Sequence, residues 1–404
     1  MENIPYRPLR GISFTIDYQF TGLNPTGYHI SNIIFHVLTT LLVYAIISLL
    51  TGKSRVAFFA ACLFAVHPVH TDSVAYISGR RDILSTLFYL LGFYLFLQSR
   101  NKDKPGLLIA ALAAYLLAVS SKEMAVTLPA IFFLYDCIHN LPEEGSLLKR
   151  FSVSLKTVIS RYGLFYLIFL AVAILFTCYK VLFKSPSTKM GFYGGDFFIQ
   201  FLTVGKILVH YIKLLFYPVN LLADYSFNSF PLSQSFFEPA TFLSLLVLCG
   251  LGFLVVKLLR SNKLMAFTVL WFFVTLLPVC HIFPHHELLA EHYLYLPSFG
   301  FVLLVALIFE QLLTVSRWRY SAYTVFVVII LLLAARTVNR NYDWKDSFSI
   351  WSKTVKTAPN CVRALNNLGI EYYKRKKYTQ AAQFYRKAIK IQPTYEKAFY
   401  NLGN

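Results

Sequence analysis

Long runs of apolar residues constrain this 404-residue chain more than any other feature. A helix needs roughly 17–25 mostly apolar residues to cross a bilayer, and within lipid its backbone polar groups must bond to one another. Hydrophobic residues make up 57% of the chain and charged residues only 14%, against about 45–50% and about 25% in soluble domains. The composition predicts an all-α membrane protein and excludes a disordered chain, a disulfide scaffold and a two-domain cytosolic enzyme.

Eleven apolar segments are candidates for membrane helices, and several are shorter than a full span. We expect the short ones to begin or end within polar turns. In chain order the segments cover residues 30–50, 56–66, 83–97, 107–119, 125–138, 162–182, 198–216, 242–259, 264–282, 293–313 and 320–335.

The Lys and Arg residues of short loops predict the orientation, because such loops are usually cytoplasmic. Five connections are basic, and they contain Lys53 and Arg55; Arg100, Lys102 and Lys104; Lys149, Arg150 and Lys156; Lys257, Arg260 and Lys263; and Arg317 and Arg319. Segment 198–216 carries Lys206, His210 and Lys213 at helical spacing, and counting it as a span would put the Lys257 connection on the wrong side. We therefore predict about ten crossings plus one interfacial or re-entrant helix, with both chain ends outside the cytoplasm.

A repeat of 34 residues closes the chain, since NNLG at 366–369 recurs as YNLG at 400–403 and Pro359 recurs as Pro393. This is the period of the tetratricopeptide repeat (TPR), a helix-turn-helix unit. We predict an outer loop segment (1–27), a multi-pass membrane domain (28–338), a linker helix (339–358) and TPR repeats (359–404), one complete and one partial. Because such arrays need about three units to bury a core, we expect the chain to be part of a longer protein.

Polar residues within or beside apolar segments are costly in a membrane, so they are candidates for function. His29, Asn32 and His36 are spaced i, i+3 and i+7 and share one helix face. That face either contributes to a site at the outer end of the bundle or makes ordinary hydrogen bonds between helices.

A second cluster is the run HPVHTDSVAYISGRRD at 67–82, which connects two apolar segments. Arg80 could bind a phosphate through paired donors, backed by helix N-terminal amides. Alternatively, Asp72 and Asp82 cap helices while Arg80 pairs with an acid. Zinc at His67 and His70 is a further option, although a third ligand at the usual spacing is missing.

Two more clusters follow in the chain. Lys122 and Glu123 interrupt two short apolar segments, either as an ion pair or as a phosphate contact with its orienting acid. The segment HIFPHHELLAEHYLYLP at 281–297 holds Glu287, Glu291, His292 and Tyr295. An interfacial aromatic belt explains its tyrosines but not its acids and histidines.

Under the predicted topology all four clusters lie on the outer side, which favours one shared site there. The formal net charge of +19 comes mainly from the basic loops and the C-terminal tail, so we predict no nucleic-acid partner. The sequence contains no phosphate-binding Gly-rich loop, nucleophile elbow or hydrolase triad. A divalent metal is not indicated either.

Six motifs in order resemble the transmembrane and tetratricopeptide-repeat proteins, a family of O-mannosyltransferases in the GT-C glycosyltransferase superfamily. They are YRPL (6–9), GLNPTGYHISNIIFH (22–36), FAVHPVHTDSVAYISGRRDIL (64–84), SKE (121–123), AEHYLYLPSFG (290–300) and RTVNRNYDW (336–344). The resemblance implies a GT-C-like fold and transfer of a sugar, expected to be mannose, from a polyprenyl- or dolichyl-phosphate carrier to Ser/Thr hydroxyls of proteins outside the cytoplasm. It implies a lipid-linked donor, an acceptor protein that the TPRs could present, and no separate cofactor.

The same resemblance implies which residues contact the lipid phosphate: Arg80, Lys122, His292 and Arg7. Supporting residues would be His29, Asn32, His36, His67, His70, Asp82, Glu123, Glu291 and Tyr295. The chain departs from the family at two points. The family's acidic pair, which contains the general base, precedes YRPL, where this chain has only residues 1–5, and His292 replaces a usual arginine. Asp72 is then the substitute candidate for the base.

Two alternatives belong to other functional classes: a non-catalytic membrane anchor that displays a TPR scaffold, and a transporter of lipid-linked sugars. An acid-rich loop after an upstream helix would favour the enzyme. For all three functions we expect a multi-pass membrane protein. We favour a bacterial plasma membrane as its location, and in a eukaryote we expect the endoplasmic reticulum membrane.

Overall fold

The computed structural model describes residues 7–182, 192–225, 229–281 and 287–404. Within these ranges the chain forms α-helices and short 3-10 turns, without a β-strand, which confirms the predicted all-α fold. Two predicted features lie outside the described residues in part: Tyr6 of the YRPL motif and residues 282–286 of the histidine-rich segment.

The α-helices are numbered in chain order. They are α1 (Pro8–Thr21), α2 (Pro25–Thr51), α3 (Ser54–Val66), α4 (Thr71–Val74), α5 (Arg80–Lys102), α6 (Gly106–Ser121), α7 (Leu128–His139), α8 (Leu147–Leu182), α9 (Phe197–Phe216), α10 (Pro239–Ser261), α11 (Lys263–Leu276), α12 (Ser298–Thr314), α13 (Arg319–Asp343), α14 (Ser347–Thr357), α15 (Val362–Lys374), α16 (Tyr378–Ile391) and α17 (Glu396–Gly403). The 3-10 turns that matter below are Pro68–His70, Ile77–Gly79, Glu123–Thr127 and Glu291–Leu294.

Six helical segments of the described chain are long and apolar enough to cross a membrane, so this is a membrane protein. They are Pro25–Thr51, Ile77–Lys102, Leu147–Tyr179, Phe197–Phe216, Pro239–Ser261 and Ser316–Asp343. Four shorter apolar helices accompany them: Ser54–Val66, Gly106–Ser121, Lys263–Val279 and Ser298–Thr314. Length and composition do not decide whether the short helices cross, so about ten crossings stays a prediction.

Helix α9 is the segment that we predicted to be interfacial or re-entrant. It is long and apolar enough for a span, so its membrane placement stays a prediction. Two of the three basic or histidine residues that set this prediction, Lys206 and His210, contact protein. Lys206 is buried and donates to Glu238 at 2.9 Å, and the ring of His210 lies 5.3 Å from that of Phe230.

An aromatic core holds the central helices together. Trp271 of α11 is fully buried, with its ring centroid 5.2 Å from Phe93 of α5. Phe96 stacks on Phe132 of α7 at 4.3 Å. Stacked and edge-on pairs of this kind add about 0.5–1.5 kcal/mol each beyond burial, so α5, α7 and α11 form a well-packed centre.

The C-terminal helices α14 to α17 pack beside the membrane helices rather than apart from them. Arg363 of α15 pairs with Asp224 at 2.5 Å, and Ala223 donates its backbone N–H to Thr354 of α14 at 3.4 Å. Within the repeat, a Cβ at Gly369 would lie 2.5 Å from the ring of Tyr385. Glycine at this repeat position therefore lets α15 and α16 pack closely.

Candidate active site

Residues from three of the four predicted polar clusters line two cavities, and His292 lines both of them. The first is lined by Asp72, Asp224, Glu287, Glu291 and the chain at 222–225. The second is lined by Asp82, Lys122 and Tyr295 among others. Because His292 lines both, the two cavities adjoin, and together they are called the cleft below.

A tight chain reversal brings Asp72 and Asp82 to the same cleft. The turn Ile77–Gly79 joins α4 to α5, and a Cβ at Gly79 would lie 2.3 Å from the carbonyl oxygen of Ser73 and 2.8 Å from that of Asp72. Real Cβ atoms do not approach backbone so closely. Glycine at this position therefore allows the reversal that aligns the two acids.

Lys122 and Asp82 form a buried ion pair in the second cavity. Their side chains are only 3% and 2% exposed, and Lys122 Nζ donates to Asp82 Oδ1. The ammonium also lies 4.7 Å from the ring centroid of Tyr293. Burial lowers the pKa of Lys122, and the charge of Asp82 opposes that shift. Of the two predicted roles for Lys122, the structure provides the ion pair directly, with Asp82 rather than Glu123 as the partner.

Arg81 is the arginine beside the pair of Lys122 and Asp82. It was not among the predicted site residues. Its Nε lies 3.3 Å from Asp82 Oδ2, and its Nη2 lies 3.5 Å from His292 Nε2. The side chain is 21% exposed and does not itself line either cavity, but it contacts Asp82 and His292, which do. Consecutive side chains of a helix point about 100° apart, so Arg80 and Arg81 face different surroundings. The start of α5 at Arg80, which decides the two directions, would have distinguished their roles.

Arg80 itself is fully buried and lines neither cavity. All three of its nitrogens have protein partners: Nη1 pairs with Asp17 at 2.5 Å, and Nε donates to Asn32 and Nη2 to the carbonyl of Tyr28, both at 2.8 Å. The structure thus separates Arg80 from Lys122 and His292, because its donors bind α1 and α2 to α5. His29 lies on α2 near its guanidinium.

Arg7 is also engaged by protein. Its Nη2 bonds to both carboxylate oxygens of Glu123, at 2.8 and 3.1 Å. This fixes the start of α1 to the turn Glu123–Thr127. The pair therefore supports the wall of the cleft next to Lys122.

The predicted histidines His36, His67 and His70 make hydrogen bonds within the bundle. His36 Nδ1 lies 2.6 Å from the Tyr295 hydroxyl, and His70 Nε2 lies 2.9 Å from Ser298 Oγ. His67 Nε2 lies 2.9 Å from the carbonyl of Leu215, and burial lowers its pKa to about 4. Among the described residues no three His, Cys, Asp or Glu side chains are grouped to hold a metal ion. His67 and His70 act instead as buried packing residues.

Asp72 and His292 face each other across the cleft. Asp72 Oδ2 accepts from the backbone N–H of His292 at 3.1 Å and lies 2.9 Å from its Nδ1. The other ring nitrogen, Nε2, lies 3.5 Å from Glu287 Oε2. One carboxylate oxygen thus fixes both the backbone and the ring orientation of His292.

A second buried charge pair joins Glu291, which lines the first cavity, to Arg340. Glu291 Oε1 accepts from the Tyr225 hydroxyl at 2.7 Å and from the backbone N–H of Leu222 at 2.5 Å. Its Oε2 lies 3.7 Å from Arg340 Nη2, and both side chains are fully buried. Burial raises the pKa of Glu291 to about 7, and the charge of Arg340 only partly opposes this shift. Arg340 could have been found from its place in the RTVNRNYDW motif.

The structure brings six of the fourteen predicted residues to the two cavities. Those that line the two cavities are Asp72, Asp82, Lys122, Glu291, His292 and Tyr295. The remaining predicted residues do not line either cavity: Arg7, His29, Asn32, His36, His67, His70, Arg80 and Glu123.

Comparison with known proteins finds two families. The family described as dolichyl-phosphate-mannose-protein mannosyltransferase matches residues 15–159, and the tetratricopeptide repeat matches residues 362–395. Protein O-mannosyl-transferase TMTC3 of Homo sapiens is 27% identical, over 98% of this chain and 46% of its own length. Protein O-mannosyl-transferase F38B6.6 of Caenorhabditis elegans is 29% identical, over 97% of this chain and 54% of its own. The chain therefore spans about half the length of these curated relatives. No solved structure matches it.

Proposed function

We propose that this relative of the transmembrane and TPR protein O-mannosyl-transferases transfers mannose from a polyprenyl- or dolichyl-phosphate carrier to Ser/Thr hydroxyls of proteins. The relatives are named protein O-mannosyl-transferases, which gives the reaction class. Their similarity to this chain confirms the family resemblance that the six motifs indicate. A fold hosts many functions, so the assignment to this chain depends on the cleft.

The observation that carries the proposal is the pair of cations beside one cleft of a helical membrane protein. Lys122 lines the second cavity, and Arg81 borders it through Asp82 and His292. Breaking a sugar–phosphate bond leaves negative charge on the lipid phosphate. Fixed cations aimed at that position stabilise the charge most strongly where water is scarce, and arginine can contact a phosphate through two donors.

The contacts around these cations suggest how each is used. Asp82 and Tyr293 hold Lys122, so its ammonium needs no rearrangement when a phosphate approaches. Arg81 is less buried and could move its guanidinium onto the phosphate. In the transfer, the bond from sugar C1 to the phosphate oxygen breaks and a bond from C1 to the acceptor oxygen forms. The electron pair of the broken bond leaves with the lipid phosphate, and the proton of the acceptor hydroxyl passes in the end to that phosphate or to water.

We further propose that the cleft faces the extracytoplasmic or lumenal side, with both ends of this chain on that side. The membrane would be a bacterial plasma membrane or, in a eukaryote, the endoplasmic reticulum membrane. The TPR helices are attached beside the first cavity by Asp224 and Arg363. This position suits repeats that present an acceptor protein.

The test is transfer of labelled mannose from dolichyl-phosphate or undecaprenyl-phosphate mannose to a Ser/Thr-containing peptide by the purified full-length protein. Arg81→Ala should raise the KM for the donor about 10- to 100-fold, because a hydrogen bond to a charged group contributes about 1.5–3 kcal/mol. Arg81→Lys should fall in between. Arg317→Ala, an exposed arginine in another turn, is the control and should leave the KM unchanged.

Two results would contradict the proposal in different ways. Absence of transfer by the wild type from both donors would reject the enzyme and favour the TPR scaffold. Equal donor KM for Arg81→Ala and Arg317→Ala would remove Arg81 from the phosphate site while leaving the reaction in place.

A further inference from the structure

We propose that the TPR helices carry a docking surface for an acidic segment of the acceptor protein, a stretch rich in Asp and Glu that neighbours the modified Ser or Thr. The surface, called the basic face below, consists of Lys376, Lys377, Arg386, Lys387 and Lys390. This inference rests on the proposed function and deepens it, because it names the kind of protein that the transferase takes as its acceptor.

Helix α16 exposes the basic face because its other side is used for packing. The buried side chains of this helix are Ala381, Tyr385 and Ala388. Arg386, Lys387 and Lys390 lie within little more than one turn of each other and are exposed on the opposite side. Lys376 and Lys377 are exposed in the turn that leads into the helix. The five cations therefore lie on, or directly before, the side of α16 that packing leaves free.

The basic face has a surplus of positive charge. Residues 359–404 contain nine basic residues and only two acidic ones. Glu371 pairs with Lys374 at 2.7 Å, and Glu396 begins α17. Within the described part of the chain, the ion pairs of α15 use Arg363 and Lys374, and none involves a residue of the basic face. The charge of this face is therefore free to attract a partner.

The positions of these charges weaken the helix that carries them. A helix N-terminus has a partial positive charge, yet Lys376 and Lys377 directly precede α16, and its first turn contains no acid. Arg386 and Lys390 are like charges four residues apart, which repel each other on a helix. The charges thus do not serve the stability of the repeat, whereas an anionic partner on this face relieves both repulsions.

The proposed topology favours an acidic protein segment over anionic lipid as that partner. The negatively charged lipids that attract basic segments belong mainly to the cytoplasmic leaflet, and the TPR helices are on the other side. The repeat is also attached to the cleft, because Arg363 pairs with Asp224, which lines the first cavity. A peptide bound to the repeat is therefore held near the place of transfer.

Charge further determines which part of the acceptor lies where. The first cavity is lined by the carboxylates of Asp72, Glu287 and Glu291, which repel Asp and Glu side chains but accept hydrogen bonds from a neutral hydroxyl. The basic face attracts the acidic part instead. The acceptor is thus oriented with its Ser or Thr toward the cleft and its acidic stretch toward α16.

The size of the basic face gives the length of the probe. Residues 376–390 span about 20 Å along the helix at about 1.5 Å per residue. An extended peptide covers this distance with about six residues at about 3.5 Å each. Six consecutive Glu residues are therefore enough to contact the whole face.

The experiment measures, by fluorescence anisotropy, the binding of two labelled peptides to the full-length protein in phosphatidylcholine nanodiscs. Both peptides contain the same Ser/Thr segment, followed by six Glu in one and six Gln in the other. The Glu peptide should bind about tenfold more tightly or better at low ionic strength. Its Kd should rise with salt, because exposed charges are screened.

A double charge reversal tests the basic face itself. Arg386→Glu/Lys390→Glu should weaken binding of the Glu peptide about tenfold or more, since two attractions become two repulsions. Lys345→Glu/Lys356→Glu is the matched control, because it reverses two exposed lysines, one before α14 and one in its last turn. It should keep the Kd of the wild type within about threefold, since exposed charges far from the peptide are screened.

The outcomes are distinct. Equal Kd values for the Glu and Gln peptides would overturn the proposal. Equal losses in the two double variants would overturn it also, because net charge and not the basic face would then attract the peptide. If the reversed variant fails to fold, the wild type still decides, since a Kd that is independent of salt contradicts the proposal.

Two further measurements separate the rival explanations. If phosphatidylserine nanodiscs raise the Kd of the Glu peptide in the wild type to that of the reversed variant, lipid headgroups occupy the face and the proposal is wrong. Transfer of mannose to both peptides is measured separately. Absence of transfer with intact binding of the Glu peptide would reject the proposed function, while the docking surface for an acidic protein segment stands.

Discussion

Two buried charge pairs characterise the region of the cleft at the scale of single residues. Ionised groups lose several kcal/mol of hydration on burial and persist only when paired. Lys122 with Asp82 and Arg340 with Glu291 are both pairs of this kind, with side-chain exposure of 3% or less. Removing one member would leave the other charge buried alone, at a cost of about 3–5 kcal/mol.

Glu291 gives the clearest pH dependence. Burial favours its neutral form and raises its pKa from 4.5 to about 7 in the folded protein. The folded state thus holds this proton more tightly than the unfolded state. The associated stability is complete below about pH 4.5 and is lost as pH rises toward 7, on the order of 3 kcal/mol in total. Glu291→Gln should flatten the fall of the unfolding temperature over this interval, measured by thermal denaturation in detergent.

Glu143→Gln is a suitable control, because Glu143 is an exposed carboxyl at the end of another helix connection, with 81% of its side chain exposed. It should leave the pH dependence in this interval nearly unchanged. If the unfolding temperatures of wild type and Glu291→Gln change with pH in parallel, Arg340 keeps Glu291 ionised over the whole interval.

The residues of the site could be predicted only in part from the sequence. Lys122, Asp82 and His292 stand out because each is charged or polar beside apolar runs. The choice between Arg80 and Arg81 could not be made, since it depends on where α5 begins and which way its first turn faces. Arg340 was overlooked because it follows an apolar run, where a basic residue ordinarily lies in water.

At the scale of elements, short turns rather than long helices position the chemistry. Apolar periodicity predicts the long helices: the segment 242–259 lies within α10 (Pro239–Ser261). Apolar periodicity underestimates the length of α8, which begins at Leu147 rather than near 162. The first turns of this helix carry basic residues, which the apolar pattern leaves out although the chain is helical there. The pattern predicts a break at Lys122 and Glu123 but starts the next segment at 125, within the turn Glu123–Thr127, whereas α7 begins at Leu128 with Pro129 in its first turn. Turns of three to five residues have no period to detect.

The turn at Gly79 is the element whose geometry is easiest to test. Gly79→Ala would place a Cβ 2.3 Å from the carbonyl of Ser73, so α4 must move away from α5 and Asp72 with it. Overpacking of this kind costs about 1–3 kcal/mol, and we expect kcat to fall at least tenfold. Transfer rates and unfolding temperatures of the purified variant would measure both effects.

Gly250→Ala is the control for this change. Gly250 lies within α10, where an added Cβ meets no atom within 4 Å, and alanine favours a helix by about 1 kcal/mol over glycine. Stability should be unchanged or slightly higher. Normal activity in Gly79→Ala would show that the turn does not control the position of Asp72.

At the scale of the whole molecule, the cleft and the predicted cytoplasmic loops lie at opposite ends of the same helices. Helix α2 has 27 residues and is about 40 Å long at 1.5 Å per residue. His36, in its first half, lies 2.6 Å from the hydroxyl of Tyr295, which lines the second cavity. Beyond its end, Lys53 and Arg55 pair with Glu310 at 3.4 and 3.0 Å. One helix therefore connects a basic face to the face that carries the cleft.

The separation of the basic loops from the cleft predicts which parts of the full-length protein are exposed on each side of the membrane. Single-cysteine variants Ser54→Cys and Gln380→Cys, both at exposed positions, would be made in a background without the six native cysteines. A membrane-impermeant thiol reagent should label Gln380→Cys from the extracytoplasmic or lumenal side, because the TPR helices are held to the cleft by Asp224 and Arg363. Ser54→Cys should react only after the membrane is permeabilised, since basic loops are retained in the cytoplasm. The reverse pattern would invert the topology, and the cleft would then face the cytoplasm, where a transferase for proteins outside it could not act.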